Sequence, residues 1–330
     1  MALLTNKDGF SYSIGKYMRE SLIIMQKDRS FTFDRRYHIC PHSEDEFVAY
    51  INHKKVKDAE IILDDFSILD RCHVLEGLYL LPSFEAPNHI SYEPVYRMPN
   101  LRKLEPCMVY GENDRRWTEF DCARLESAHK LEWFGADGKK NLLKNVYALD
   151  GLKSLLISHC RGENLKDYVG SPVLDTLELL RCGMKTLDGM ETTRQLKVLN
   201  LVSCSKLESI EALESAAETL TGLVIHGCPN LKDYSVLSKL KKLKRLSLIG
   251  SGNIQSLRFL EQLPELKTLL LGKNVLDGDL SYCDRLWHVG LYPNRRHYNR
   301  KSDRLPKHPK DEHVYGDEEI ESWRRGVISP

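Results

Sequence analysis

The sequence predicts an α/β solenoid in which each coil contributes one short strand and one return segment, with a cap at either end. Three observations predict it. A nine-residue pattern, seen in LKVLNLVSC from Leu196 to Cys204, recurs seven times between Leu152 and Asn294. Its copies begin at Leu152, Leu174, Leu196, Leu220, Leu243, Leu266 and Leu286, at spacings of 22, 22, 24, 23, 23 and 20 residues. The residues after each copy then place apolar side chains every third position, as in Leu231, Tyr234, Leu237 and Leu240, or Ile254, Leu257, Leu260 and Leu263. That period suits a short helix or 3₁₀ turn.

Within a copy the apolar residues at positions four and six alternate with variable ones, so the segment reads as a strand with one face in the core. Leu199 and Leu201 therefore point inward, and Asn200 and Val202 outward. Weaker copies lie upstream at Leu75, Leu101 and Ala128, with a fainter one at Val56. Pro106 and Trp133 stand where the third leucine is expected in two of them.

The pattern LxxLxLxxN/C resembles the leucine-rich repeat family, and the spacing resembles its ~22-residue subclass, found in internalins and in a protein phosphatase regulatory subunit. The resemblance implies a curved parallel sheet on a concave face, short helices or 3₁₀ turns on the convex face, and terminal segments that cover the core at the two ends. Residues 1–55 are the expected N-terminal cap, 56–294 the solenoid of about ten coils, and 295–330 the C-terminal cap and charged tail. The first cap is expected to be a strand pair, from FSYSI and FTFDRRYHI, and a helix over SEDEFVAYINHK with Ser43 and Glu46 as a capping box. In the second, Tyr298, Leu305, Val314 and Trp323 are expected to lie against the last coil.

At the ninth position the chain leaves the strand and turns inward, where a small polar side chain must pair with backbone groups that no strand neighbour satisfies. This column reads Cys160, Cys182, Cys204, Cys228, Ser251, Asn274 and Asn294. Thiols and amides are expected to act there as one structural ladder, and no residue that would activate a thiolate is fixed by the motif.

Other chemistry finds little support. Nine cysteines without a CxxC pair suggest neither a zinc ribbon nor a disulfide framework, and fit a reducing cytoplasm. His159 and His226 lie close in sequence to Cys160 and Cys228, but neighbouring strand residues diverge, so a shared metal site is not expected. His308 and His313 have the wrong spacing for helical ligands, GKKNLLKN is no phosphate cradle, and Asp64–Asp65 reads as a solvated turn. No catalytic, cofactor or metal residues are assigned. No stretch approaches a membrane span or a signal peptide. The balance of 48 basic and 47 acidic residues gives no bulk attraction to nucleic acid.

The sequence therefore points to a non-enzymatic, cytoplasmic scaffold that binds another protein on its concave face, with a regulatory or toxin-neutralising (immunity) subunit as a narrower version. The expected contact residues are Leu156, Glu178, Leu180, Asn200, Val202, Val224, His226, Ile249, Leu270 and Tyr292, an apolar band beside a mostly basic rim at position two. Two alternatives stand beside this. One is the recognition arm of an enzyme or ligase, for which flanks of about 55 and 36 residues are short. The other is a polyanion binder through residues 295–310, where seven Lys/Arg accompany one acid.

Overall fold

The computed structural model describes residues 22–27, 30–34, 41–42, 44–63, 65–82, 90–106, 119–139 and 142–307. FSYSI, Ser43, Asp64, His308, His313, Val314 and Trp323 fall outside them. The chain divides into two compact units between Leu156 and Ile157.

In the first unit, β1 (Leu22–Lys27) and β2 (Ser30–Asp34) form an antiparallel pair, and β3 (Pro41–His42) adds to β2. Helix α1 (Glu44–Lys54) follows, with Val48 and Ile51 inward. A strand pair and a helix precede the first coil, but the first strand is Leu22–Lys27 and not the expected FSYSI, which lies outside the described residues. β1 also runs parallel to β4 (Asp58–Leu63), the coil expected only faintly at Val56. Next come β5 (Gly77–Pro82), β6 (Lys103–Glu105), the short pair β7 (Phe120–Asp121) and β9 (Leu143–Lys144), and β8 (Trp133–Asp137).

One repeat differs in frame from the sequence expectation. Leu104 pairs with Phe134, which is fully buried, so the coil expected to start at Ala128 starts at Leu131. Phe134 and Ala136 take the places of the two strand leucines, and the spacings around it become 30 and 21 residues. Phe134 joins a chain of rings, stacking 6.3 Å from Phe120, which meets Tyr92 edge-on at 5.0 Å and Tyr96 at 5.1 Å. Aromatic rings thus fill the return side of this unit, where the later coils use leucine.

The second unit stacks β11 (Thr176–Leu180), β12 (Val198–Val202), β13 (Gly222–His226), β14 (Arg245–Ile249), β16 (Thr268–Leu271) and β18 (His288–Leu291), all parallel. β10 (Ser154–Ser158) spans the division between the units, and β15 (Asn253–Ile254) pairs with β17 (Asn274–Val275) on the return side. The register aligns two core columns. One runs Leu177, Leu199, Leu223, Leu246, Leu269 and Val289, the other Leu179, Leu201, Ile225, Leu248, Leu271 and Leu291, and all are buried. The return segments are 3₁₀ turns at Met190–Thr192, Glu211–Ala216, Ser235–Lys239, Arg258–Gln262 and Ser281–Cys283.

The inward turn at position nine has a local cause. His159, Arg181 and Ser203 just before it adopt the left-handed conformation, with φ between 52° and 57°, and Gly227 has φ 67°. This bends the chain so that Cys160, Cys182, Cys204 and Cys228 are buried. The Cys182 thiol donates to the Ile157 carbonyl of the preceding coil at 3.4 Å and the Cys204 thiol to that of Leu179 at 3.5 Å. The Cys228 thiol reaches the Leu201 carbonyl at a longer 3.9 Å.

The ladder stops after Cys228. Ser251 is exposed between Gly250 and Gly252, whose φ values of 111° and 103° take the chain along a different path. Asn274 bonds sideways to the Asn253 side chain at 3.0 Å, and Asn294 is exposed and pins Ser302. The buried place is taken by Lys273, 1% exposed, whose ammonium donates to the Ser251 carbonyl at 2.7 Å.

Residues 295–307 fold back on the last coil. Tyr298 and Leu305 are buried as expected, and the amide of Val289 donates to the Pro306 carbonyl at 2.9 Å. The Tyr298 hydroxyl accepts from the Val275 amide at 3.1 Å and donates to the Lys273 carbonyl at 3.3 Å. Tyr298→Phe is therefore expected to cost about 1–2 kcal/mol, because a buried amide loses its acceptor. A urea midpoint equal to that of the native chain would show the hydroxyl to be dispensable.

Candidate functional site

The sheet face opposite the core columns is the candidate site, and strand register sets its geometry. Position five runs Glu178, Asn200, Val224, Ser247, Leu270 and Gly290, and position seven begins Leu180, Val202, His226 and Ile249. All the expected contact residues of the second unit lie on this face, with Tyr292 just past the end of β18. Leu156 closes the first unit and is itself buried.

Exposure along the face is uneven, which the alternation of residues does not show. Glu178 is 3% exposed, Leu180 and Asn200 8% each. Strands spaced about 4.8 Å apart let long side chains cover one another sideways, and Asn200 donates to the Glu178 carboxylate at 3.2 Å. The part of the face that a partner could touch is therefore displaced toward β13–β18, where Val224, His226, Ile249 and Leu270 are half-buried and Tyr292 is 83% exposed. Trp287, at position two of the last copy, is 44% exposed.

Two glycines shape this end. A Cβ on Gly290 would lie 2.6 Å from Leu270 Cδ2, and one on Gly272 would lie 3.3 Å from Ile249 Cγ2. The absence of side chains there lets Leu270 and Ile249 lie flat along the sheet, giving a smooth apolar floor.

Cys182 and Cys204, in the middle of the ladder, are held in the thiol form. Burial holds the Cys182 thiol well above its ordinary pKa, and a hydrogen bond with Cys182 pushes Cys204 up to about 12, so neither is a thiolate near neutral pH. Among the described residues no group of three or more His, Cys, Asp or Glu could hold a metal ion, and no helix is long and apolar enough to cross a membrane. Asp65, half of the acidic pair, caps a 3₁₀ turn by accepting from the Ser67 amide at 2.8 Å.

A shallow depression of about 420 Å³ in the first unit is lined largely by charged groups, paired with one another or with residues beside it. Glu132 is bound by Arg102 and lies 3.3 Å from Lys153, and its carboxyl is held below the usual range chiefly by the Arg102 hydrogen bond. His129 Nδ1 lies 2.7 Å from Asp150. In the basic segment 295–310, Arg300 pairs with Asp284 at 2.9 Å, Lys301 donates to the Arg295 carbonyl at 2.5 Å and Lys307 to that of Val289 at 2.8 Å. Arg300 and Lys307 hold the segment on the last coil, and Lys301 ties the segment to itself.

No protein-family model matches the sequence. The disease resistance protein RPS4B of Arabidopsis thaliana is 30% identical over 228 residues, 63% of this chain and 19% of that protein. The chain thus spans about a fifth of the length of this relative. Among solved structures, an internalin of Listeria monocytogenes matches with TM-score 0.51 and 18% identity, over 71% of this chain and 65% of that one. The Toll–Spätzle complex of Drosophila matches with TM-score 0.53 and 15% identity, over 86% of this chain and 43% of that one. Seven copies of the motif, a parallel strand in each coil, 3₁₀ returns and these neighbours agree: the chain has the fold of a leucine-rich-repeat solenoid.

Proposed function

We propose that this chain is a non-enzymatic scaffold that holds a protein partner on the open sheet face of its second unit. The observation that carries the reading is the half-buried apolar strip Val224, Ile249 and Leu270, ending at Tyr292, a residue left 83% exposed. Aromatic side chains on an apolar floor with a charged rim are what interface centres use. The solved Toll structure is a complex with Spätzle, which supports a protein as the ligand class. A reducing compartment, the cytoplasm, is supported by the buried thiols of Cys160, Cys182, Cys204, Cys228 and Cys283.

Val224→Asp combined with Ile249→Asp tests the reading, because both side chains already meet solvent. The circular dichroism spectrum is expected to stay the same and the melting temperature to fall by only a few degrees. Proteins that the native chain retains from its host lysate are expected to be lost, since two carboxylates would be buried unpaired at the contact. Retention of the same proteins by a folded double variant would rule out this face. The recognition arm of an enzyme and the polyanion-binding segment would then be the readings to pursue.

A further inference from the structure

We propose that the partner's contacting segment is acidic and carries an aromatic or leucine anchor, the acids meeting the strand-entry edge of β14–β18 and the anchor lying on the floor beside Tyr292. This rests on the scaffold reading above and specifies the partner's chemistry.

The charge argument comes from the register. At the open-face positions two, three, five and seven of β12, β13, β14, β16 and β18, Lys197, Lys244, Arg245 and Lys267 are cations, His226 and His288 add two imidazoles, and no carboxylate occurs. The acids at these positions in the second unit, Asp175 and Glu178, both belong to the β11 coil. Asp175 lies 3.8 Å from Lys197, and Glu178 is buried against Asn200. Lys244 and Lys267 are exposed on adjacent coils, and nearby Glu265 is bound to Lys242 at 2.9 Å. Two exposed lysines side by side on a rim, sharing with Lys242 the attraction of the Glu265 carboxylate, favour a partner that brings negative charge.

The anchor argument comes from shape. Trp287 just before β18 and Tyr292 just after it flank Gly290, and Leu270 leans over that glycine. A flat apolar or aromatic side chain can lie across Leu270 and Ile249 with the Tyr292 ring against it, an arrangement that removes the exposed tyrosine from water. A purely polyanionic ligand would leave this floor uncovered.

The test uses the full chain and three labelled twelve-residue peptides of alternating Glu and Gly: one with a central Trp, one with Ala in its place, and one with Trp kept and every Glu changed to Lys. Fluorescence anisotropy at 50 and 300 mM salt is expected to show the Glu/Trp peptide binding at least tenfold more tightly than either of the others, with binding weakened at the higher salt. Lys244→Glu with Lys267→Glu is expected to lose tenfold or more for the Glu/Trp peptide. Tyr292→Ala is expected to lose about fivefold for that peptide and nothing for the Ala one. Equal binding of the Lys peptide, or an unchanged affinity in the lysine variant with its fold intact, overturns the proposal.

The two levels fail separately. If the native partner is lost on Val224→Asp with Ile249→Asp yet retained at full strength by the lysine variant, the face binds and the acidic chemistry is wrong. If the partner survives both variants, the scaffold reading itself falls.

Discussion

Cys204→Asp is expected to cost about 3–5 kcal/mol at neutral pH, while Cys204→Asn, of nearly the same shape, is expected to cost less than about 1 kcal/mol. The thiol of Cys204 faces the carbonyls of Leu179 at 3.5 Å and Val202 at 3.7 Å, and the residue is fully buried. Both neighbours are acceptors, so the position requires a donor. An asparagine amide supplies one, but an ionised aspartate places a third acceptor and an unpaired charge among them. The sign of the pH dependence follows. Burial raises the folded-state pKa of the introduced carboxyl above its unfolded value of about 3.9, so the folded state holds the proton more tightly. The aspartate variant is then most stable below the unfolded pKa, where the protonated acid donates as the thiol does, and it loses stability as pH rises toward the folded pKa. Urea unfolding at pH 4.5 and 7.5 would check this against the native chain, and an aspartate variant as stable as the asparagine one at pH 7.5 would show that no donor is needed.

The same ladder marks where sequence reading succeeds and where it stops. The two core columns of the second unit were legible, because each of their residues repeats at a fixed offset from the others and burial of one face demands that period. The 3₁₀ returns were legible for the same reason. Burial at position nine was legible only where the preceding residue turns left-handed, and the signal for that is weak. His159, Arg181 and Ser203 carry no sequence mark of a positive φ, and the glycines at 250 and 252, which could have warned of a changed path, are also common in ordinary turns. Asn274 and Asn294 carry the motif's asparagine at position nine, Ser251 carries another small polar residue there, and all three still do something else.

The first unit hid its frame for a different reason. Where leucine is replaced by Trp133, Phe134 and Ala136, the nine-residue template fits almost as well three residues early, and only pairing with Leu104 decides. On the open face, alternation gave the direction of Glu178, Leu180 and Asn200 correctly. Their exposure depends on the side chains one coil away, which a single strand cannot report. The more exposed part of the face therefore lies toward β13–β18, where Gly272 and Gly290 replace bulky neighbours.

Lys273 is the residue least legible from sequence, and its replacement by glutamate is expected to be among the most damaging single changes, at about 4 kcal/mol or more. It is 1% exposed, its ammonium donates to the Ser251 carbonyl at 2.7 Å and lies 5.8 Å from the centre of the Tyr234 ring, and a Cβ on Gly252 would lie 3.4 Å away. A carboxylate there would face a carbonyl and the negative face of a ring, with repulsion from both. Lys273→Met separates charge from bulk. It removes the desolvated ammonium, which stabilises, and leaves the Ser251 carbonyl without its donor, which destabilises, so a net change within about 1 kcal/mol is expected. Burial lowers the folded-state pKa of Lys273 below its unfolded value. The unfolded chain then binds more protons between those two values, so this lysine's contribution to stability grows as pH rises through that window and is lost as pH falls through the folded pKa. The methionine variant lacks that slope. Urea midpoints at pH 7 and 9.5 are expected to rise further for the native chain than for Lys273→Met, with Lys273→Glu far below both. A glutamate variant that melts with the native chain would mean that the side chain at 273 turns outward and that the inward column ends at Cys228.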